Sequence, residues 1–253
     1  MLKEQLLLKS GDIVVRLAET TEEILKAQKL RYDMLVLEFD NSKDVNGSDA
    51  SEYDKICDHL IAIDQTTNKV VGTYRLLSNK HLKSNEAFIC ENEFDVSKLK
   101  NCNYDILELG RAVVDKEYRN GVVIKLLWQG LFNYCKMHNI RFMFGTGSFH
   151  GVNYEENKQA FAYLHKYHKI SDEFDCVAKA PSVTLDMLNF DEIDERTAKT
   201  QIPALLKGYI SLGSKVGTGV YLDYEFNSSD VMIILDMQNI NAAFAKRMFG
   251  VEL

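Results

Sequence analysis

Weak alternation over residues 13–19 predicts a first strand. Ile24, Ala27, Leu30, Met34 and Leu37 then recur every three or four residues, which predicts a helix. Thr20 and Glu23 stand in front of it at the spacing of a capping box. Residues 40–54 are polar and acidic and read as a mobile loop. Segments 60–64 and 69–77 read as a hairpin turning at Thr66-Thr67-Asn68. Residues 79–100 carry no clean period. A strand over 105–115, a helix over about 121–138 and a strand over 141–145 come next, followed by GTGSFHG, read as a polar loop. Further on come a helix over about 155–168, a strand near 183–185 and a helix over about 203–216 that opens at Pro203. A hairpin of 219–226 with 231–236 and a short helix end the pattern. Strands and helices mix without strict alternation, which predicts a mixed sheet flanked by helices. With two prolines and no repeat, no linker stands out, and one domain over 1–253 is expected.

Composition narrows the picture. The chain has 253 residues, 46% of them hydrophobic, enough for a full core. No apolar run approaches the roughly 18 residues that span a bilayer. The start, MLKEQLLLKS, is too charged and too short in its apolar part for a signal peptide, so a cytoplasmic location is expected. A net charge of −7 argues against bulk nucleic-acid binding. The five cysteines show no C-x-x-C pairing, which fits reduced thiols and not a disulfide or zinc framework. Cys135 falls on a predicted apolar helix face.

The run ILELGRAVVDKEYRNGVVIKLLW, 106–128, carries the candidate chemistry. An acid, Glu108, sits on a strand, a tight turn follows at Tyr118-Arg119-Asn120-Gly121, and a helix begins at once. A strand-borne base beside a helix N-terminus is what acyl transfer from a phosphate-bearing thioester needs. The competing reading is a structural Glu108–Arg111 ion pair. Residues i and i+3 of a regular strand face opposite ways, so these two meet only across a bulge, which Gly110 would permit. Arg75 stands inside an apolar strand and needs a buried partner, for which Asp54 and Asp58 are candidates. Asp54, Asp58 and His59 cluster before a strand, but no fourth ligand has sensible spacing, so no metal is expected.

Seven segments in order, CDHLIAID, VVGTYRLL, ENEFDVSKL, ILELGRAVV, YRNGVVIKLLWQGL, GTGSFHG and ALLKGYISLG, together resemble the ornithine N-acyltransferases, also called hemolysin-like acyltransferases. These are a branch of the GNAT superfamily, and the resemblance covers nearly the whole chain. It implies an α/β (α+β) fold: a GNAT-like, mostly antiparallel central sheet with a C-terminal helix-hairpin extension. It implies transfer of a 3-hydroxyacyl chain from acyl carrier protein to the α-amine of ornithine. The product is a lyso-ornithine-type lipid, through which the protein would touch the inner membrane peripherally. No permanent cofactor is implied; the donor is the acyl-phosphopantetheine of the carrier protein.

The resemblance gives Glu108 the role of general base. Arg75 and Arg111 become candidates for the acceptor carboxylate, where guanidinium makes a two-pronged contact. Asp54, Asp58 and His59 are placed near the acceptor, the acids either ordering the loop or meeting the cationic side-chain amine. Ser148 is a candidate partner of the acceptor or leaving thiol, with Tyr154 and Tyr163 as weaker candidate acids. Val113, Val114, Arg119, Asn120, Gly121 and Val122 fall to the donor. The turn departs from the R-G-x-G-x-G/A pattern of general GNAT enzymes: β-branched Val122 and Val123 follow Gly121, and fewer glycines make a poorer pyrophosphate cradle. A single phosphodiester needs less. Ser211 stands where the family tends to have Arg. Lys116, Lys125, Lys136 and Arg141 with Arg119 form a candidate basic patch for an acidic carrier protein. Trp128, Phe142 and Phe144 are expected in the core. Two alternatives remain at this point: a lactone-forming synthase that uses S-adenosylmethionine, and a non-catalytic acyl- or membrane-binding protein.

Overall fold

The first helix starts where its cap chemistry places it. Thr20 Oγ accepts the Glu23 N–H at 3.3 Å, and the Glu23 carboxylate accepts the Thr20 N–H at 3.3 Å, so the expected capping box is present. The computed structural model describes residues 6–38 and 44–250. Strands β1 (Leu8–Ser10) and β2 (Ile13–Leu17) precede helix α1 (Thr21–Tyr32), which runs on into a π-helical turn, Asp33–Leu37. Strands β3 (Asp58–Asp64), β4 (Lys69–Ser78) and β5 (Phe94–Asp95) and the one-turn helix α2 (Ser97–Lys100) follow. Strand β6 (Asp105–Val114), helix α3 (Val122–His138), strand β7 (Ile140–His150) and helix α4 (Lys158–His168) come next. Then come β8 (Val177–Ala178), β9 (Ser182–Val183), α5 (Glu195–Gln201), α6 (Ala204–Ser211) and β10 (Lys215–Val216). The last elements are β11 (Val220–Asp223), β12 (Ser228–Asp236) and α7 (Ala242–Phe249).

These elements form two compact units. The first holds the residues up to 84, 109–140 and those from 242 onward; the second holds 85–108 and 141–241.

In the first unit the strand order is β1-β2-β3-β4-β6, with antiparallel pairing from β1 through β4. Both faces are covered. Ala27 and Leu30 of α1 pack with Ile61, Ile63, Val70 and Val113. On the other face α3 lies so close that a Cβ at Gly72 would meet Val123 at 2.6 Å. Burial on both sides is why β3 and β4 read as continuous apolar runs. Trp128 stacks on Phe249 of α7 at 5.1 Å and is core, as expected.

In the second unit the order is β6-β7-β12-β11-β9, with β10 also on β12; β5 and β8 pair separately. The β7–β12, β11–β12 and β9–β11 pairings are antiparallel. Helices α4 and α6 cover one face, with Phe161, Leu164 and Leu206 against Phe149 and Val231.

The structure corrects several sequence readings. GTGSFHG is not a loop: β7 continues to His150 because 142–150 pair residue by residue with 228–236. Gly147 there serves packing, since a Cβ on it would meet Leu206 at 3.0 Å. The helix opened by Pro203 stops at Ser211, ahead of Gly213 at φ +104°, and Lys215–Val216 is a strand paired with Ile233 and Ile234. Of the loop read over 40–54, residues 40–43 lie outside the described residues, and Glu52–Lys55 forms a 3-10 turn.

Candidate active site

Glu108 is the seventh-from-last residue of β6 and is 4% exposed. Its two oxygens accept different backbone N–H groups of one 3-10 turn, Ile89–Asn92: Oε2 from Ile89 and Oε1 from Cys90, each at 2.8 Å. The Cys90 thiol also bonds to this carboxylate. Burial, reinforced by the Glu108 charge, pushes that thiol well up from its usual range. Beyond Glu108 the strand departs from regular geometry. The departure is at Arg111, φ +52°, and not at Gly110. A non-glycine residue there is uncommon and accompanies functional constraint. Arg111 Nε donates to Asp49 Oδ2 at 2.9 Å.

In the first unit Asp49 belongs to a cluster of three guanidiniums and two carboxylates. Arg31, fully buried, donates from Nε to Asp49 at 2.7 Å and from Nη2 to Asp54 at 2.9 Å. Arg75 Nη1 reaches Ser51 Oγ at 2.9 Å and Asp54 at 3.3 Å. Gln28 and the Ser51 N–H also donate to Asp54. Burial alone would raise the Asp54 carboxyl; hydrogen bonding and charge from Arg31 reverse this and leave it at about 2. Burial, with Arg111 as a like charge, lowers Arg75 from the usual arginine range. Among the described residues, Arg31 Nη1 and Arg75 Nε have no hydrogen-bond partner.

The other acids and His59 have their own settings. Asp58 accepts from Tyr134 OH at 2.7 Å and has His81 at 3.8 Å. His59 is 3% exposed, its Nε2 is 3.1 Å from the Asp54 carbonyl, and burial lowers its pKa.

The turn expected to meet the donor is held by side-chain contacts. Arg119 grips Glu38 in a two-pronged pair, 2.8 and 2.6 Å, and its Nε donates to the Val114 carbonyl at 3.1 Å. Asn120 Oδ1 accepts the Val122 N–H at 3.1 Å, and Gly121 takes φ +94° at the start of α3. Val113 is buried; Lys116 and Lys125 are exposed. Arg141 is tied to Asp236 and lies over the rings of Tyr104 and Phe142.

On β7 the even-numbered side chains share one face of the second unit's sheet. Phe144 meets Phe88 there at 5.0 Å, while Thr146, Ser148 and His150 are exposed. Ser148 bonds to Asp230, its register partner on β12. Tyr154 and Tyr163 are half-buried against the core on the opposite face. Residues that the sequence reading missed are Arg31, Asp49, Glu38 and Asp230. Two left a signal: Arg31 follows Leu30 on the buried side of α1, and Asp230 leads into an apolar strand.

A family model described as an acetyltransferase (GNAT) domain matches residues 30–129. The L-ornithine N(alpha)-acyltransferase of Brucella abortus (strain 2308) is 35% identical over 254 residues, 96% of this chain and 90% of that protein. The enzyme of the same name from Rhodobacter capsulatus is 34% identical, over 88% of this chain and 90% of that protein. Among solved structures, the AHL synthase LasI overlays with a TM-score of 0.51 over 96% of this chain and 98% of that one, at 13% identity. MesI, a CoA-dependent acyl-homoserine lactone synthase, overlays at 0.51 over 92% and 90%, also at 13%. At such identity the likeness is one of fold. Fold and relatives together define an amide-forming acyltransferase of the GNAT type. The chain belongs to the L-ornithine N(alpha)-acyltransferase family.

Proposed function

We propose that this chain acylates the α-amine of ornithine, taking a (3-hydroxy)acyl group from the phosphopantetheine thioester of acyl carrier protein. The observation that carries the chemistry is the setting of Glu108. Its two oxygens accept the Ile89 and Cys90 N–H groups, which fixes a buried carboxylate on the strand ahead of the turn. In this reading it takes a proton from the acceptor α-ammonium, directly or through one water. The freed amine attacks the thioester carbonyl carbon. The C–N bond forms, the C–S bond breaks, and sulfur leaves as a thiolate that takes up the proton the nitrogen sheds in becoming the amide. Ser148, whose one O–H goes to Asp230, meets the acceptor or the leaving thiol through its oxygen.

Arg75 and Arg111 bind the acceptor carboxylate in this reading. The unpartnered donors Arg31 Nη1 and Arg75 Nε, among the described residues, support an anion there. Asp54 and His59 act as supports of that cluster. Asp58 holds Tyr134. For the donor, the N–H groups after Gly121 suit one phosphodiester, since Asn120 already occupies one helix donor, and Arg119 would meet the phosphate by exchanging its Glu38 partner for it. Val113 and Val114 carry the strand that ends in this turn. Lys116 and Lys125 flank the turn and would meet an acidic carrier. Among the described residues no helix is long and apolar enough to cross a membrane, and contact with the inner membrane would come through the lipid product.

Incubation with ornithine and matched acyl chains on acyl carrier protein and on coenzyme A tests this. The carrier-protein donor should be used well and the coenzyme A donor poorly, with the gap shrinking as salt screens docking over about 10 Å at 0.1 M. Equal kcat/KM for the two donors would overturn the donor assignment. Absence of acyl-ornithine with either would overturn the acceptor.

A further inference from the structure

The arginine cluster of the first unit is covered from solvent. Arg31 is fully buried and Arg75 is 2% exposed, whereas the Arg111 side chain is 29% exposed. An anion reaches Arg31 or Arg75 only if something above them moves. Part of the cover is segment 44–51, which forms neither helix nor strand. Ser51 Oγ accepts from Arg75 Nη1 at 2.9 Å. Asp49 lies on Arg31: its Oδ2 accepts from Arg31 Nε at 2.7 Å, and its carbonyl accepts from Arg31 Nη2. The same Oδ2 accepts from Arg111 Nε at 2.9 Å. One oxygen of a loop carboxylate thus sits between two guanidiniums, one from α1 and one from β6.

The two acids of the cluster are held differently. Asp54 accepts from Arg31 Nη2, Arg75 Nη1, Gln28 Nε2 and the Ser51 N–H, and its side chain is 5% exposed. Asp49 engages its guanidiniums through one oxygen, and its side chain is 17% exposed. The segment that carries it turns back on itself: the Asn46 N–H donates to Asp44 Oδ1 at 2.9 Å and the Gly47 N–H to the Asp44 carbonyl at 3.0 Å. It rests on α1 through the Asp49 N–H, which donates to the Gln28 carbonyl at 3.3 Å, and through Gly47, where a Cβ would come within 2.1 Å of the Tyr32 ring. A loop held in this way opens at lower cost than a strand or helix of the same unit. Exchange of one carboxylate for another leaves the charge of the cluster unchanged, so Arg31 and Arg111 need not be stranded without an anion when it opens.

We propose that Asp49 stands in for the acceptor carboxylate: the acceptor displaces it from Arg31 and Arg111, and segment 44–51 lifts from α1 as the gate that admits it. This rests on the reading in which an amino-acid carboxylate meets Arg75 and Arg111. One motion serves both ends of the cluster, because the segment that removes Asp49 also draws Ser51 off Arg75. Arg31 Nη1 and Arg75 Nε, unpartnered among the described residues, are donors that Asp49 does not satisfy and that a free carboxylate with two oxygens can. A seated Asp49 lowers the apparent affinity for the acceptor by the fraction of molecules in which the gate is open. Loosening the gate therefore tightens acceptor binding, the reverse of what loss of a merely structural ion pair does.

The test measures kcat and KM for ornithine, with melting curves, in the wild type, Asp49→Ala and Gly47→Ala. The first variant removes the stand-in; the second keeps it and pushes the segment off Tyr32. Asp49→Ala should lower the KM for ornithine by about fivefold or more, with kcat changed less than KM, and Gly47→Ala should move KM the same way. Sodium acetate, compared with sodium chloride at equal ionic strength, should raise the melting temperature of Asp49→Ala in a saturable manner and leave the wild type nearly unmoved. A KM unchanged or raised in folded Asp49→Ala, or no acetate-specific rise in its melting temperature, overturns the proposal and leaves ornithine acylation standing. Where Asp49→Ala does not fold, the KM of Gly47→Ala decides in the same sense. Failure of the wild type to acylate ornithine overturns the underlying reading instead, and the acetate comparison still decides whether Asp49 holds the place of a carboxylate.

Discussion

Glu108 Oε1 and the Cys90 backbone N–H are 2.8 Å apart, and this contact makes the acid part of the scaffold as well as a candidate base. An amide at this position presents an NH₂ to one of the two N–H groups that a carboxylate satisfies. Glu108→Gln should therefore lose about 1–3 kcal/mol of stability from the unsatisfied donor. Its turnover should fall by about 10²-fold or more. The discriminating readout is the pH profile: without its base the variant should gain rate steadily with pH as the free amine accumulates. A variant that is slow by a constant factor at every pH would mean that Glu108 is only structural.

Arg75→Ala and Arg111→Ala should raise KM for the amino acid, because each removes a guanidinium that this reading sets against the acceptor carboxylate. Steady-state kinetics against ornithine checks this. An unchanged KM with lowered stability would mark both as structural ion-pair partners.

Asp54→Asn should destabilise the protein by about 3–5 kcal/mol at pH 7, since it leaves Arg31 and Arg75 buried without their main countercharge. The folded carboxyl, at about 2, lies below the unfolded value of about 3.9. Its contribution is therefore complete above about pH 4 and is lost as pH falls toward about 2. The gap between wild-type and variant melting temperatures should close over that window. A gap independent of pH would contradict the assignment.

Asp230 has the opposite linkage. Its folded value of about 6 lies above the unfolded one, so stability falls as pH rises from about 4 to about 6 and stays lower above. Asp230→Asn should raise the melting temperature at pH 8 and lose that advantage at pH 4. A lower melting temperature at pH 8 would show that the buried charge is already compensated.

Much of the fold was legible because local chemistry and tertiary structure agree. The Thr20–Glu23 cap, the Thr66-Thr67-Asn68 turn and the apolar face of α3 each signal their own element. GTGSFHG misled because glycines and polar residues suggest a loop, whereas long-range pairing with β12 makes it a strand. In the site, Glu108 and the Arg119 turn stood out because strand, turn and helix adjoin in sequence. Asp54 as the partner of Arg75 was legible too, but Asp49 against Arg111 and Arg31 against Asp54 were not, since Asp49 and Arg31 come from distant loop and helix positions.

The central claim, transfer of an acyl group from carrier protein to the α-amine of ornithine, is tested most directly by the structure of the product. Purified protein is incubated with a 3-hydroxyacyl carrier protein and ornithine labelled with ¹⁵N at the α position, and the product is read by mass spectrometry and NMR. The account predicts one acyl group per ornithine, with the amide on the labelled nitrogen and the side-chain amine free. Acylation at the side-chain nitrogen, or no acyl-ornithine while the donor is consumed, would contradict it.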